Sequence, residues 1–69
     1  MSLTRAAALL GVAPDAPAGA LRKAYRATAR RLHPDTLGRP AQPDEVSAMA
    51  MVNAAYALLR RHEIGRAHV

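Results

Sequence analysis

The 69-residue chain contains no cysteine, no phenylalanine and no tryptophan. Without cysteine there is no disulfide to staple a small fold and no thiolate to hold a metal. Aromatic side chains make up only 3% of the residues, and alanine is the commonest member of the 51% apolar fraction; alanine buries little area per residue. A chain this short makes one domain, near the lower limit of what a hydrophobic core can hold together. The fold is therefore expected to be all-α and thinly cored. No apolar run approaches the roughly 20 residues a membrane span needs. The stretch from Met1 to Leu10 resembles a short helix more than a signal peptide, because its one basic residue, Arg5, lies inside it and the apolar run breaks at Gly11. A soluble, cytoplasmic protein is the expectation. Acidic residues are scarce as well: five against ten Lys and Arg, a net charge of +5. On so small a surface this favours an acidic partner such as nucleic acid, anionic lipid or an acidic protein.

The residues that are present divide into three helical runs. Leu3 to Leu10 reads as a first helix that Gly11 can close in a left-handed conformation. Val12 to Gly19 is a turn segment, in which Pro17 suits the first turn of the next helix and Asp15 lies near its positive end. The second helix is expected from about Ala18 to Leu32, although Gly19 weakens its start. A third is expected from about Asp44 to Arg61, opened by Pro43, Asp44 and Glu45. In it Met49, Val52, Tyr56 and Leu59 share an arc that can pack on helix two, while Met51 and Leu58 point elsewhere, towards helix one or a covering segment. Arg60, Arg61 and His62 are expected at its negative end.

Helix two carries the strongest pattern. At about 100° per residue, Leu21, Ala24, Tyr25, Thr28 and Leu32 fall on one side, and Arg22, Lys23, Arg26 and Arg30 fill the opposite arc. A charged outer face is ordinary for a surface helix, but here every charge is positive. Such like charges weaken a helix by tenths of a kcal/mol per pair, a cost without structural return that points to a binding surface. The helix should stop near His33, because Pro34 disfavours helical geometry in the residue before it. His33-Pro34-Asp35 then begins a connection to Pro43 holding three prolines and one glycine, with no helical or strand period. Connections between bundled helices usually take about 2 to 8 residues, and longer ones are often functional.

The end of the chain reads differently. Ile64-Gly65-Arg66-Ala67-His68-Val69 is what the codons ATC GGA AGA GCA CAC GTC encode, a string that matches a widely used sequencing-adapter end. Residues 63–69 are therefore expected to be a non-native tail, and the domain to occupy residues 1–62.

Leu9-Leu10-Gly11-Val12, Leu21-Arg22-Lys23-Ala24-Tyr25-Arg26, His33-Pro34-Asp35 and Val52-Asn53-Ala54-Ala55-Tyr56-Ala57-Leu58-Leu59, in this order and at these intervals, resemble the J domain of the DnaJ family. The resemblance covers residues 3 to about 61. It implies an antiparallel hairpin of two long helices, with a short first helix packed across it and the His-Pro-Asp loop exposed at the tip. It also implies docking on a DnaK-type heat-shock chaperone of the seventy-kilodalton class and stimulation of that partner's ATP hydrolysis. By position, His33, Pro34 and Asp35 would be the triggering residues. Arg22, Lys23, Arg26 and Arg30, with the exposed edge of Tyr25, would be the surface that meets an acidic patch on the chaperone. The chain departs from the family in Leu32, where an aromatic residue is frequent, and in Thr36, where lysine is. Thr28 stands in place of a larger aliphatic residue, Ala6 and Ala7 in place of aromatics, and the short fourth helix is missing. These losses bear on stability more than on identity.

The rival reading is a small basic helical module that binds nucleic acid. Helix-turn-helix motifs join their helices by about 3 or 4 residues and read bases from the second helix, whereas this loop is several times longer and the following helix offers mostly alanine. An enzyme is not expected, since His33 and Asp35 flank a proline with no nucleophile or third ligand at a recognisable spacing. No catalytic residue, metal or cofactor is assigned, no membrane contact is expected within this stretch, and a monomer is the expected state.

Overall fold

The computed structural model describes residues 1–67 and shows four helices: α1 (Leu3–Leu10), α2 (Ala18–Leu32), the single turn α3 (Pro34–Leu37) and α4 (Pro43–Ala67). Each boundary has a local cause. At the start of α1 the Ser2 hydroxyl accepts from the Arg5 amide at 3.1 Å, satisfying one of the donors that a helix N-terminus leaves open. At its end Gly11 adopts φ 71° and ψ 34°. The Val12 and Gly11 amides return to the carbonyls of Ala7 and Ala8 at 3.0 and 3.2 Å, the paired closure that a left-handed glycine permits. Pro17 lies just before α2, not inside its first turn as its sequence context suggests. Its carbonyl accepts from Leu21 at 3.0 Å and its backbone stays extended.

Helices α2 and α4 run antiparallel. Ala18 and Leu21 lie beside Arg60 and Ile64, Tyr25 meets Asn53 and Tyr56, and Leu32 lies beside Val46 and Met49. Rising numbers on one helix meet falling numbers on the other. Helix α1 crosses this hairpin and packs chiefly on α4. The core between them consists of Ala6, Ala7, Leu10, Ala16, Leu21, Val52, Ala55 and Leu59, with Leu21 and Leu59 the largest fully buried side chains. Leu58 packs against this cluster, and Met51 is half-buried. Three helices thus meet through small residues, and Ala6 and Ala55 are wholly enclosed. Close approach of backbones substitutes for bulk, so the core is tight but contains few large side chains.

Two features differ from the sequence expectation. The connection after His33 is not wholly irregular, because Pro34 to Leu37 form one helical turn closed by Gly38 at φ 70°. Proline is well suited to a first helical turn even where it breaks the helix before it, so one residue ends α2 and starts α3. The last helix also continues past Arg61 to Ala67. No proline follows His62, and a single glycine lowers helix propensity by only about 1 kcal/mol, so Gly65 does not stop it. Arg60, Arg61 and His62 consequently lie inside α4 instead of at its negative end. Of the expected tail, residues 63–67 belong to this helix, and His68 and Val69 lie outside the described residues.

Candidate functional site

The end of α2 and the turn after it form one surface. His33 leaves the helix with an extended backbone at φ −72° and ψ 139°, its amide still bonded to the Arg30 carbonyl at 3.3 Å. Its own carbonyl accepts from the Thr36 amide at 3.0 Å, and its ring Nδ1 accepts from the Asp35 amide at 3.2 Å. His33 therefore caps α3 with both backbone and side chain. The Asp35 carboxylate stands 3.7 Å from the same Nδ1 and is 94% exposed. The histidine thus holds the backbone of the turn, and the carboxylate faces solvent.

Beside the turn lies an open groove of about 440 Å³ lined by Tyr25, Arg26, Ala29, Arg30, His33, Asp35 and Thr36. A second shallow groove continues along α2 over Arg22, Lys23, Arg26 and Arg30, all of them exposed. The structure thus brings Arg26, Arg30, His33 and Asp35 together and extends the basic stripe away from them towards the start of α2. The backbone of Pro34 belongs to α3; its side chain lies outside the described residues.

Tyr25 has a more structural position than its sequence context suggests. Its ring stacks on Tyr56 with centroids 4.4 Å apart and planes 15° off parallel, and its hydroxyl donates to Asn53 Oδ1 at 2.6 Å. Half-buried, it clamps α2 to α4 and offers only an edge to the groove. Thr28 is buried on the same helix, its hydroxyl donating to the Ala24 carbonyl at 2.9 Å.

One cluster at this end escaped sequence reasoning. Arg39 donates through Nη1 and Nη2 to the two carboxylate oxygens of Glu45, at 2.7 and 3.0 Å, and Nη1 also reaches the Pro40 carbonyl at 3.2 Å. Glu45 Oε1 accepts in addition from the Gln42 amide at 2.8 Å, while the Gln42 carbonyl takes the Val46 amide at 3.0 Å. This is the reciprocal half of a capping box, with Gln42 in the capping position. The Arg39 guanidinium and then the Gln42 amide hold the Glu45 carboxyl below its ordinary range, and the same carboxylate raises Arg39. The sequence signal was the glutamate three residues after Gln42; the arginine has no periodic marker. Among the described residues no group of acidic, histidine or cysteine side chains is arranged to hold a metal, and no helix is long and apolar enough to cross a membrane.

The order of helices, the exposed turn at the tip of the hairpin and the basic face of α2 suit one family, and the DnaJ domain model matches residues 8–68. The chain belongs to the DnaJ domain family. No match to a curated protein or to a solved structure was found. Domains of this family are co-chaperone modules that bind heat-shock chaperones of the seventy-kilodalton class, and they are not themselves enzymes.

Proposed function

We propose that this J domain docks on a DnaK-type chaperone through the basic face of α2 and stimulates its ATP hydrolysis through His33, Pro34 and Asp35. The observation that carries this reading is the setting of Asp35: a 94% exposed carboxylate on a one-turn helix, sharing a groove with Arg26 and Arg30. The stripe of Arg22, Lys23, Arg26 and Arg30 steers an acidic partner surface into register and makes docking salt-sensitive. Asp35 then accepts a charge-assisted hydrogen bond from an arginine of the partner. Because that contact forms better in the hydrolysing conformation, binding shifts the partner towards it.

The test is single-turnover ATP hydrolysis by a purified DnaK-type chaperone with and without the 69-residue chain. His33→Gln and Asp35→Asn are compared with it, and folding is followed by circular dichroism. Stimulation by the native sequence that disappears in both variants is the expected result. Unchanged stimulation by Asp35→Asn, which keeps the shape and removes the charge, would overturn the mechanism. Retention on DNA-cellulose at physiological salt, without retention on the immobilised chaperone, would favour the nucleic-acid reading instead.

A further inference from the structure

Every lysine and arginine of the described chain except Arg39 lies in α1, α2 or α4. Arg39 sits in the loop four residues after Asp35, on the far side of the single turn α3 and the Gly38 bend. The turn of α3 and the left-handed Gly38 keep the chain between Asp35 and Arg39 from running straight, and arginine is the natural bidentate partner of a carboxylate. An Asp35–Arg39 pair would occupy the carboxylate that the proposed function needs free. The structure shows the guanidinium elsewhere, with both of its terminal nitrogens on Glu45, while Asp35 is almost fully exposed.

We infer that Glu45 acts as a positioning residue that sequesters Arg39 and so keeps Asp35 open to the partner. The geometry favours Glu45 in this competition for two reasons. Its carboxylate offers Arg39 a two-point contact at 2.7 and 3.0 Å. It is also held in place by the Gln42 amide at 2.8 Å and is 18% exposed against 94% for Asp35, so less side-chain freedom is lost on pairing. Among the described residues α3 neighbours α2 and not α4. The choice Arg39 makes between Asp35 and Glu45 is therefore a choice between closing over the turn and tying the loop to α4.

The inference rests on the functional reading above, and it predicts an effect opposite to simple electrostatics. Replacing Glu45 by Gln makes the domain more positive, which by itself would strengthen attraction to an acidic partner. Gln keeps an acceptor for the Gln42 amide, so the helix start survives, but Arg39 is released to Asp35. Glu45→Gln is expected to lower chaperone stimulation about two- to fivefold, the range set by an exposed ion pair. Arg39→Gln is expected to stay near the native level, and the double variant to recover it. Such a recovery has no counterpart in a purely structural role, where Arg39→Gln would break the same pair at a similar cost and the double variant would keep the loss.

The second measurement needs no chaperone. The Arg39 guanidinium N–H resonances are followed in the native chain, in Glu45→Gln and in Glu45→Gln with Asp35→Asn. Restricted guanidinium rotation should persist in Glu45→Gln and vanish when Asp35 is also replaced. A guanidinium that is free in Glu45→Gln whatever stands at position 35 would overturn the inference, as would stimulation by Glu45→Gln with Arg39→Gln no better than by Glu45→Gln alone. If the native chain fails to stimulate the chaperone while the resonances follow the expected order, the functional reading falls and the sequestration of Arg39 stands.

Discussion

At the scale of single residues, Tyr25 shows how one side chain can belong to both core and surface. Its ring is committed to Tyr56 and its hydroxyl to Asn53, and an edge is left in the groove with Arg26 and Arg30. Replacing it by Phe removes the 2.6 Å hydrogen bond to Asn53 and keeps the stack. The cost should be about 0.5–1 kcal/mol, as for a solvent-accessible hydrogen bond, read as a fall of several degrees in thermal melting. Chaperone stimulation measured below the melt should persist. Tyr25→Ala removes the aromatic pair too, worth about 0.5–1.5 kcal/mol beyond its area, and should fall well below Tyr25→Phe in the same melt. Some residues at this scale were readable and others were not. Gly11 was, because only a residue without Cβ takes φ 71° without cost at the end of an apolar run. Ala55, wholly buried, was not, because alanine occurs on every face of this chain and carries no information about which one is covered.

At the scale of helices, α2 was legible because its apolar and basic residues separate cleanly around the axis, and burial of Leu21 and Thr28 follows that division. Helix α4 was legible in its start and in the arc of Val52 and Leu59, but not in its length, since nothing in residues 62–67 either favours or stops a helix strongly. The loop before it was the least legible part. Its order comes from Arg39 and Glu45, a pair that no period predicts and that only the folded path brings together. This pair has a pH signature. The Glu45 carboxyl is held below its ordinary range by Arg39 and the Gln42 amide. Its contribution to order is therefore complete above the ordinary carboxylate range and is lost as pH falls through the lowered value. Arg39 stays charged throughout. Acid should thus loosen the tie between the loop and α4 before the hairpin itself, seen as a shift of the Arg39 guanidinium N–H resonances, while the neutral carboxyl still accepts from the Gln42 amide at the start of α4. The acid step should be absent from Glu45→Gln, and its persistence there would assign it to another carboxylate.

At the scale of the whole molecule, two demands meet in a body measuring 45 × 21 × 15 Å. On the proposed function the hairpin must hold its tip rigid enough to present His33 and Asp35, yet the helices are joined by a core in which Ala6, Ala7, Ala16 and Ala55 are four of the eight buried apolar residues among those described. This was foreseeable from composition, because a chain without Phe or Trp has little else to bury. The consequence for stability follows from magnitudes. A domain of this size rarely holds more than about 3–5 kcal/mol, and truncating a buried leucine to alanine costs about 2–5 kcal/mol. Leu59 is 1% exposed on α4, in the cluster that α1 and α2 share, and Leu21 is its counterpart on α2. Either Leu59→Ala or Leu21→Ala should therefore remove most of the margin. Circular dichroism should show lost helicity and no cooperative melt at room temperature, together with lost chaperone stimulation. Exposed Val46, changed to Ala in the same experiment, should leave the melt within a few degrees of the native chain. If Leu59→Ala melted as cooperatively and nearly as high as the native chain, the three helices would have to be held by something other than this shared core.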